Sequence, residues 1–242
     1  MSYFNIVAET SENTVVTEYE PEKRRSDSYQ SEAELEQEFI RMLCEQGYEY
    51  LPLHTERDMI NNLRERLQEL NNYEFTDKEW TYFFNNDIAN PNFSLQDKTR
   101  NIQEDYRKVL KRDDGSTKNI SLIDKTNIHN NRLQVINQYV MGLQDGAKHD
   151  NRYDVTVLVN GLPLVHVELK RRGVQIREAF NQINRYKRDS FWAGSGLFEY
   201  VQIFVISNGT NTKYYSNSTR DNAIRDAKAG NTKRGKTSNS FE

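Results

Sequence analysis

The sequence predicts an α/β (α+β) protein in which a mixed central β-sheet is flanked by helices. Capping signals followed by helical periodicity recur in the N-terminal part of the chain. Two apolar runs joined by an Asn-Gly pair are typical of a β-hairpin. A helix-periodic segment and another apolar run follow this hairpin, and strands with intervening helices favour a mixed sheet covered on both sides.

Four segments are expected along the 242 residues. Residues 1–30 are polar and are predicted to form an irregular arm. Residues 31–100 are predicted to be mostly helical, and residues 101–220 carry the strand signals of the core. Residues 221–242 are expected to form a polar tail.

Three helices are predicted in the helical part, and two of them begin at a capping box, in which a hydroxyl and an acid three residues later satisfy free backbone N–H groups. The boxes are Ser31 with Glu34 and Thr76 with Glu79, and the first two helices span Ser31 to about Glu45 and about Glu56 to Leu70.

The sheet is expected to contain several strands before and after the central hairpin. These strands are predicted near Gln103 to Lys111, Ile120 to Ile123, Leu133 to Val140 and Val201 to Ser207. The first two are joined by the turn signal Asp113-Asp114-Gly115-Ser116.

The central hairpin, residues 151–170, places two acids on neighbouring strands. A strict two-residue loop at Asn160-Gly161 would put Asp154 and Glu168 on opposite faces, because side chains alternate with period two. A longer loop, Asn160 to Leu162, or a bulge would shift the pairing by one residue and bring both acids onto one face. Since Pro163 fits only near a strand start, the longer loop is predicted.

Two facing carboxylates can hold a divalent cation, and Lys170 lies two residues beyond Glu168 on the same face. An acid, a second acid and a lysine in this layout are typical of metal-dependent phosphodiester chemistry. The same spacing is also compatible with an exposed hairpin that carries an ordinary ion pair.

A helix is predicted from Val174 to Arg188, where apolar residues recur at helical spacing. Gln182 and Tyr186 are one turn apart on this helix and can act together beside the hairpin. A solvated glutamine and a half-buried tyrosine would give the same pattern.

Together, the hairpin with Asn160-Gly161-Leu162-Pro163, then Glu168-Leu169-Lys170 and Gln182-x-x-x-Tyr186, resembles the PD-(D/E)xK nuclease domain of the restriction (R) subunit of type I restriction-modification enzymes. The resemblance covers most of the chain and implies a restriction-endonuclease-like core. One departure is that Tyr153, not proline, precedes the first acid.

The resemblance implies a role for each matching residue. Asp154 and Glu168 would bind Mg²⁺, Lys170 would orient or activate water, and Gln182 with Tyr186 would position DNA. The superfamily often adds an acid from the first core helix, and Glu36 and Glu38 both remain open for that role.

By the same resemblance, the substrate would be double-stranded DNA, and methyltransferase and specificity subunits would be partners. The ATP-driven translocase domains would lie downstream of this chain. Two alternatives are a repair or recombination nuclease of the same superfamily and a catalytically silent module that contacts DNA or subunits.

The net charge is only −3, yet the charges are unevenly distributed. Residues 170–188 carry a net charge of +6, which suits a phosphate backbone, whereas residues 32–79 carry −8 and are expected to lie away from DNA. The proposed DNA-binding patch consists of Arg171, Arg172, Arg177 and Arg185.

Other signals point to a cytoplasmic protein without a membrane span, a secretory signal or a small-molecule site. The single cysteine, Cys44, is expected to be a buried thiol. The segment Gly230 to Thr237 matches a phosphate-loop pattern but lacks the preceding buried strand and the following helix, so nucleotide binding is not predicted there.

Overall fold

The structure is a computed structural model that describes residues 3–9, 15–20 and 30–217. The first two ranges are strands β1 (Tyr3–Glu9) and β2 (Val15–Glu20), which pair in antiparallel fashion. The irregular arm predicted for residues 1–30 is therefore wrong in these two ranges. The phosphate-loop pattern at residues 230–237 lies outside the described residues.

The central sheet has six strands in the order β10-β9-β8-β7-β6-β3. The strands are β3 (Glu49–Tyr50), β6 (Leu133–Met141), β7 (Asn151–Val159), β8 (Leu162–Leu169), β9 (Ile203–Ser207) and β10 (Thr212–Ser216). The pairs β3/β6 and β8/β9 are parallel and the other pairs are antiparallel. The prediction of a mixed sheet flanked by helices is confirmed.

Two details of the predicted sheet are wrong. Strands β4 (Arg107–Lys111) and β5 (Thr117–Ser121) form a separate two-stranded sheet and do not begin the central one. The edge strands β3 and β10 were not predicted from the sequence, because two to five residues in a strand give little periodicity to detect.

The described helices are α1 (Glu32–Glu45), α2 (Glu56–Asn71), α3 (Asp77–Phe83), α4 (Leu95–Gln103) and α5 (Ile176–Asp189). The capping boxes at Ser31 and Thr76 are present as predicted. Helix α4 was not predicted, although Ser94 and Asp97 form the same kind of box with aspartate in place of glutamate.

Helix α1 covers one face of the sheet. Its side chains Leu35, Phe39, Ile40 and Leu43 pack against the buried strand residues Val135, Val155, Val167 and Leu169. Cys44 is exposed, so the predicted buried thiol is wrong; the buried stripe of α1 does not extend to it. A second, larger cluster is rich in aromatic residues and includes Ile183 and Tyr186 of helix α5.

The hairpin β7/β8 is closed by a two-residue turn, so the predicted three-residue loop is wrong. Asn160 and Gly161 both have positive φ, 50° and 83°, as a type I′ turn requires. A Cβ on Gly161 would lie 2.6 Å from the Cα of Leu63, which restricts this position to glycine. The register shift comes instead from a bulge at Leu164, the alternative that the sequence left open.

Candidate active site

The bulge brings Asp154 and Glu168 to opposing positions at the end of the hairpin. Val155 pairs with Val167, so Asp154 and Glu168 face each other one step further along. The Asp154 carboxylate Oδ2 accepts a hydrogen bond of 2.9 Å from the backbone N–H of Leu169. The predicted one-face arrangement of the two acids therefore holds, with a different loop from the one expected.

Glu168 is fully buried and Asp154 is half-buried. Burial raises the pKa of Glu168 to about 7, and Lys170 only partly offsets this effect. Burial, and then the neighbouring Glu168 carboxylate, raise the pKa of Asp154 to about 6. Two acids with raised pKa values at one place mark a site that binding of a cation would stabilise.

The residues present fit a divalent cation, although the side chains alone do not complete a coordination shell. Within residues 30–217, no three His, Cys, Asp or Glu side chains are grouped to hold a metal ion. Oε2 of Glu168 is buried and makes no hydrogen bond. A buried carboxylate oxygen without a donor is a suitable ligand for a hard cation, which takes oxygen ligands from carboxylates, backbone carbonyls and water.

Lys170 lies immediately beyond β8, where its side chain is largely buried. Its Nζ donates to Oε1 of Glu168 at 3.2 Å and to the backbone carbonyl of Leu169 at 3.0 Å. The amine of Lys170 thus contacts one acid of the pair, as the sequence predicts. These two contacts do not use all three N–H donors of the amine.

Helix α1 contributes acids from its first turns. Glu36 is buried and accepts hydrogen bonds from the side-chain amides of Asn137, at 2.5 Å, and of Gln138. Burial raises the pKa of Glu36, and the charge of Asp154 adds to this rise. Glu38 instead accepts a hydrogen bond from Gln30. Of the two acids that the sequence left open, Glu36 therefore interacts with the acid pair.

Sequence reasoning missed Glu32, which lies one turn before Glu36 on the same helix. Oε2 of Glu32 is 3.9 Å from Nζ of Lys170, and Oε1 accepts a hydrogen bond from the backbone N–H of Arg171 at 3.3 Å. The i, i+4 spacing of the two glutamates was the available signal. The first helix of the acidic segment therefore lies next to Lys170.

Gln182 and Tyr186 face the hairpin from α5. The Gln182 amide donates to the Tyr186 hydroxyl, which in turn donates to the backbone carbonyl of Arg152 at 2.8 Å. Tyr186 is only 1% exposed. Burial, and then the charge of Glu168, raise the pKa of the Tyr186 hydroxyl. The pair therefore braces β7 next to Asp154, and Gln182 is the more accessible of the two.

The predicted basic patch is exposed at all four of its positions. The guanidinium of Arg185 lies over the ring of Tyr186, 5.4 Å from its centroid, which places this charge beside the braced pair. By contrast, Arg188 forms an ion pair with Asp189, with Nε and Oδ1 2.8 Å apart. Arg177 lines an open groove of about 580 Å³ between the start of α5 and the β9–β10 turn.

The mixed six-stranded sheet and the helices that flank it define an α/β protein with a restriction-endonuclease-like core. Residues 29–223 match the family described as type I restriction enzyme R protein N terminus. This match includes most of the chain and both acids of the hairpin. The chain belongs to that family.

Individual relatives agree with this assignment. The chain is 48% identical over 215 residues to the EcoprrI type I restriction enzyme endonuclease subunit of Escherichia coli, covering 88% of this chain and 67% of the relative. It is 41% identical over 199 residues to a type I restriction enzyme endonuclease subunit of Staphylococcus saprophyticus, covering 78% of this chain and 20% of that relative. It is 28% identical over 137 residues, 53% of this chain and 12% of the relative, to a putative counterpart of Methanocaldococcus jannaschii. The chain thus spans between about an eighth and two thirds of the length of these relatives.

None of the helices in the described residues is long and apolar enough to cross a membrane.

Proposed function

We propose that this chain is the nuclease domain of a type I restriction enzyme R subunit and hydrolyses phosphodiester bonds of double-stranded DNA with the help of Mg²⁺. The observation that carries the proposal is the acid pair of half-buried Asp154 and buried Glu168, with the amine of Lys170 bonded to Glu168. Its support is chemical: two carboxylates and one cationic donor at a single point suit a metal ion and a phosphate together.

Asp154 and Glu168 would hold the cation, and the carbonyl of Leu169 would add a backbone ligand. A Mg²⁺ ion bound there would polarise the phosphate and lower the pKa of a water molecule. Glu36 is held by two amides beside Asp154 and would add negative charge, either directly or through water. Glu38, which accepts a hydrogen bond from Gln30, would not contribute to the cation site.

Lys170 would act on the reacting phosphate. Its amine is held between Oε1 of Glu168 and the carbonyl of Leu169, so it can orient the attacking water and stabilise the charge that develops on phosphate oxygens. Gln182 and Tyr186 would hold the β7 backbone at Arg152 and present the Gln182 amide towards DNA. The exposed patch Arg171, Arg172, Arg177 and Arg185 would contact neighbouring phosphates.

Further activities would belong to the full-length subunit and its complex. The chain spans a fifth of the Staphylococcus relative, and we infer that ATP binding and DNA translocation belong to the parts of the full-length subunit that follow. By the family resemblance, the methyltransferase and specificity subunits would be partners in a cytoplasmic complex.

The proposal is tested by calorimetric titration of the chain with Mn²⁺ and Mg²⁺, together with cleavage of plasmid DNA by the assembled enzyme. Wild type should bind the cation, and Asp154→Asn should bind it at least about tenfold more weakly and should not cleave. Glu38→Gln is the matched control. A wild-type chain that binds neither cation, or an Asp154→Asn enzyme that cleaves normally, would contradict the proposed function.

A further inference from the structure

One buried polar side chain beside the acid pair has no role in the function proposed above. His166 lies on β8 two residues before Glu168 and is completely buried. Its ring is surrounded edge-on by aromatic rings, with centroids 5.5 Å from Phe191 and 5.6 Å from Tyr153. A charged imidazolium is costly in such apolar surroundings, so the ring is neutral. A neutral ring has one N–H donor and one acceptor nitrogen.

The two ring nitrogens face different groups. Nδ1 lies 3.4 Å from the hydroxyl of Thr156, the residue opposite His166 on β7. Nε2 lies 3.5 Å from Oε2 of Glu168. Both atoms are buried, and neither has a hydrogen-bond partner in the described structure.

These neighbours select one tautomer of the ring. When Glu168 is ionised, as a metal ligand must be, its Oε2 can only accept, so the proton of the neutral ring resides on Nε2 and is directed at Oε2. Nδ1 is then the acceptor nitrogen, and the buried Thr156 hydroxyl can donate to it. The opposite tautomer would bring a lone pair of Nε2 against a lone pair of Oε2, which is repulsive.

We propose that His166 is a positioning residue for Glu168, whose Oε2 it orients through Nε2–H while the Thr156 hydroxyl fixes the tautomer. This inference rests on the proposed function, since it assigns His166 to the support of one of its carboxylates. Oε1 of Glu168 is held by Lys170 and Oε2 is directed by His166, so the plane of the carboxylate is fixed from both sides. Hydrogen bonds around catalytic groups are commonly long before the reactive complex forms and shorten within it.

The competing role for His166 is that of an ordinary aromatic core residue. The two roles predict opposite results for the same substitutions. His166→Phe preserves an aromatic ring of similar size but removes the donor. His166→Gln changes the packing but keeps an N–H group that can reach the carboxylate. Thr156→Val preserves the shape of the neighbour and removes the hydroxyl that fixes the tautomer.

The experiment measures Mn²⁺ affinity by calorimetry for the full chain and its variants, with thermal unfolding as the check on folding. If His166 positions Glu168, His166→Phe should bind Mn²⁺ about 10- to 100-fold more weakly, as loss of a supporting hydrogen bond around a metal ligand typically does. His166→Gln should recover most of the affinity, and Thr156→Val should lie between them. The exposed His129→Phe is the matched control and should bind as wild type. His166→Phe binding Mn²⁺ as tightly as wild type, or His166→Gln binding it no more tightly than His166→Phe, would overturn the inference.

A second measurement is independent of metal. Side-chain ¹⁵N spectra of the chain in EDTA at pH 8, above the pKa of Glu168, assigned by the signals lost in His166→Gln, should show His166 neutral with the proton on Nε2. Thr156→Val should mix the two tautomers. A ring protonated on Nδ1 in wild type would overturn the inference even if the variants affect binding. If wild type bound no Mn²⁺ while the Nε2–H tautomer was present, the proposed function would fail and the orientation of His166 towards Glu168 would stand.

Discussion

The amine of Lys170 lies 3.2 Å from Oε1 of Glu168, in an environment where 11% of the lysine side chain and none of the glutamate side chain is exposed. A cation held against a buried carboxylate has two effects. It lowers the cost of burying the negative charge, and it places a positive donor where phosphate charge would develop. The contact therefore links the stability of the site to its chemistry.

Removal of this amine should separate cleavage from cation binding. We expect Lys170→Ala to reduce DNA cleavage at least about 100-fold, in line with the loss of a charged catalytic group. Mn²⁺ affinity should be retained, because Asp154 and Glu168 remain. Lys170→Arg should not restore cleavage fully, since its planar guanidinium cannot lose its proton or occupy the same place. Plasmid cleavage and calorimetry give the two readouts.

The same substitution in the full-length enzyme tests the division of labour proposed for it. ATP hydrolysis and translocation should be nearly unchanged in Lys170→Ala, because those activities are assigned to other parts of the subunit. Parallel loss of ATPase activity and cleavage would contradict that assignment.

The raised pKa values of the acid pair predict how stability depends on pH without metal. The pKa of Glu168 is 4.5 in its ordinary state and about 7 here, and that of Asp154 rises from 3.8 to about 6. The unfolded chain therefore loses these protons at lower pH than the folded chain. In EDTA, these two acids should lower the free energy of unfolding as pH rises from about 4 to about 7. The buried His166, whose pKa is lowered to about 4, has the opposite effect over the same range, so the contribution of the acids is measured by comparison with a variant.

Glu168→Gln removes one of these ionisations. It should raise the melting temperature in EDTA at pH 8, with a gain of roughly 3 kcal/mol or less, since about 1.4 kcal/mol corresponds to one pKa unit. The gain over wild type should grow as pH rises from about 4 to about 8. Glu74→Gln, on an exposed loop residue, is the control. The same pH dependence of stability in wild type and Glu168→Gln would show that the pKa of Glu168 is not raised.

Helix α1 offers a prediction that separates its acids. Glu36 is buried and its pKa is raised in part by the charge of Asp154, whereas Glu38 is hydrogen-bonded to Gln30. Glu36→Gln should therefore weaken Mn²⁺ binding several-fold, and Glu38→Gln should leave it unchanged. Glu32→Gln should have little effect on the cation but should alter cleavage, because Oε2 of Glu32 lies 3.9 Å from the amine of Lys170. Equal effects of the Glu36 and Glu38 substitutions would remove Glu36 from the site.

The fold was predictable where the sequence signal is local. Capping boxes fixed the starts of α1 and α3, and the Asn160-Gly161 pair located the central turn. The loop length of this hairpin was not predictable, because a longer loop and a bulge at Leu164 shift the register equally. The separate β4/β5 sheet could not be inferred either, since pairing partners depend on tertiary contacts that periodicity does not encode.

The residues of the candidate site were predictable as a set because Asp154, Glu168 and Lys170 lie close together in sequence. Glu32 and Glu36 could not be assigned in the same way, because they are more than 100 residues from the hairpin and reach it only through the packing of α1. His166 shares a strand face with Glu168, so the sequence indicated its direction but gave no sign of the partner on Nδ1.

Tyr186 is expected to contribute to both stability and cleavage, and two substitutions separate the contributions. Tyr186→Ala should destabilise the chain by about 3–5 kcal/mol, because it empties a buried aromatic position. Tyr186→Phe keeps the ring and loses only the hydroxyl bonded to Arg152 and Gln182, at a cost of about 1 kcal/mol. If the braced pair positions DNA, Tyr186→Phe should still cleave several-fold more slowly. Normal cleavage by a stable Tyr186→Phe enzyme would limit Tyr186 to the core.

Arg185 provides a test of the basic patch with a control on the same helix. Its guanidinium is exposed beside Tyr186, whereas the exposed Arg188 is paired with Asp189. If Arg185 contacts a phosphate, Arg185→Ala should weaken DNA binding in every sequence context. The slope of log K against log salt concentration should then be shallower by about 0.9, the value for one lost phosphate contact. Arg188→Ala should change this slope less, because its charge is already compensated. Binding measured in Ca²⁺ over a range of salt concentrations gives both slopes, and identical slopes for wild type and Arg185→Ala would show that this arginine does not contact the backbone.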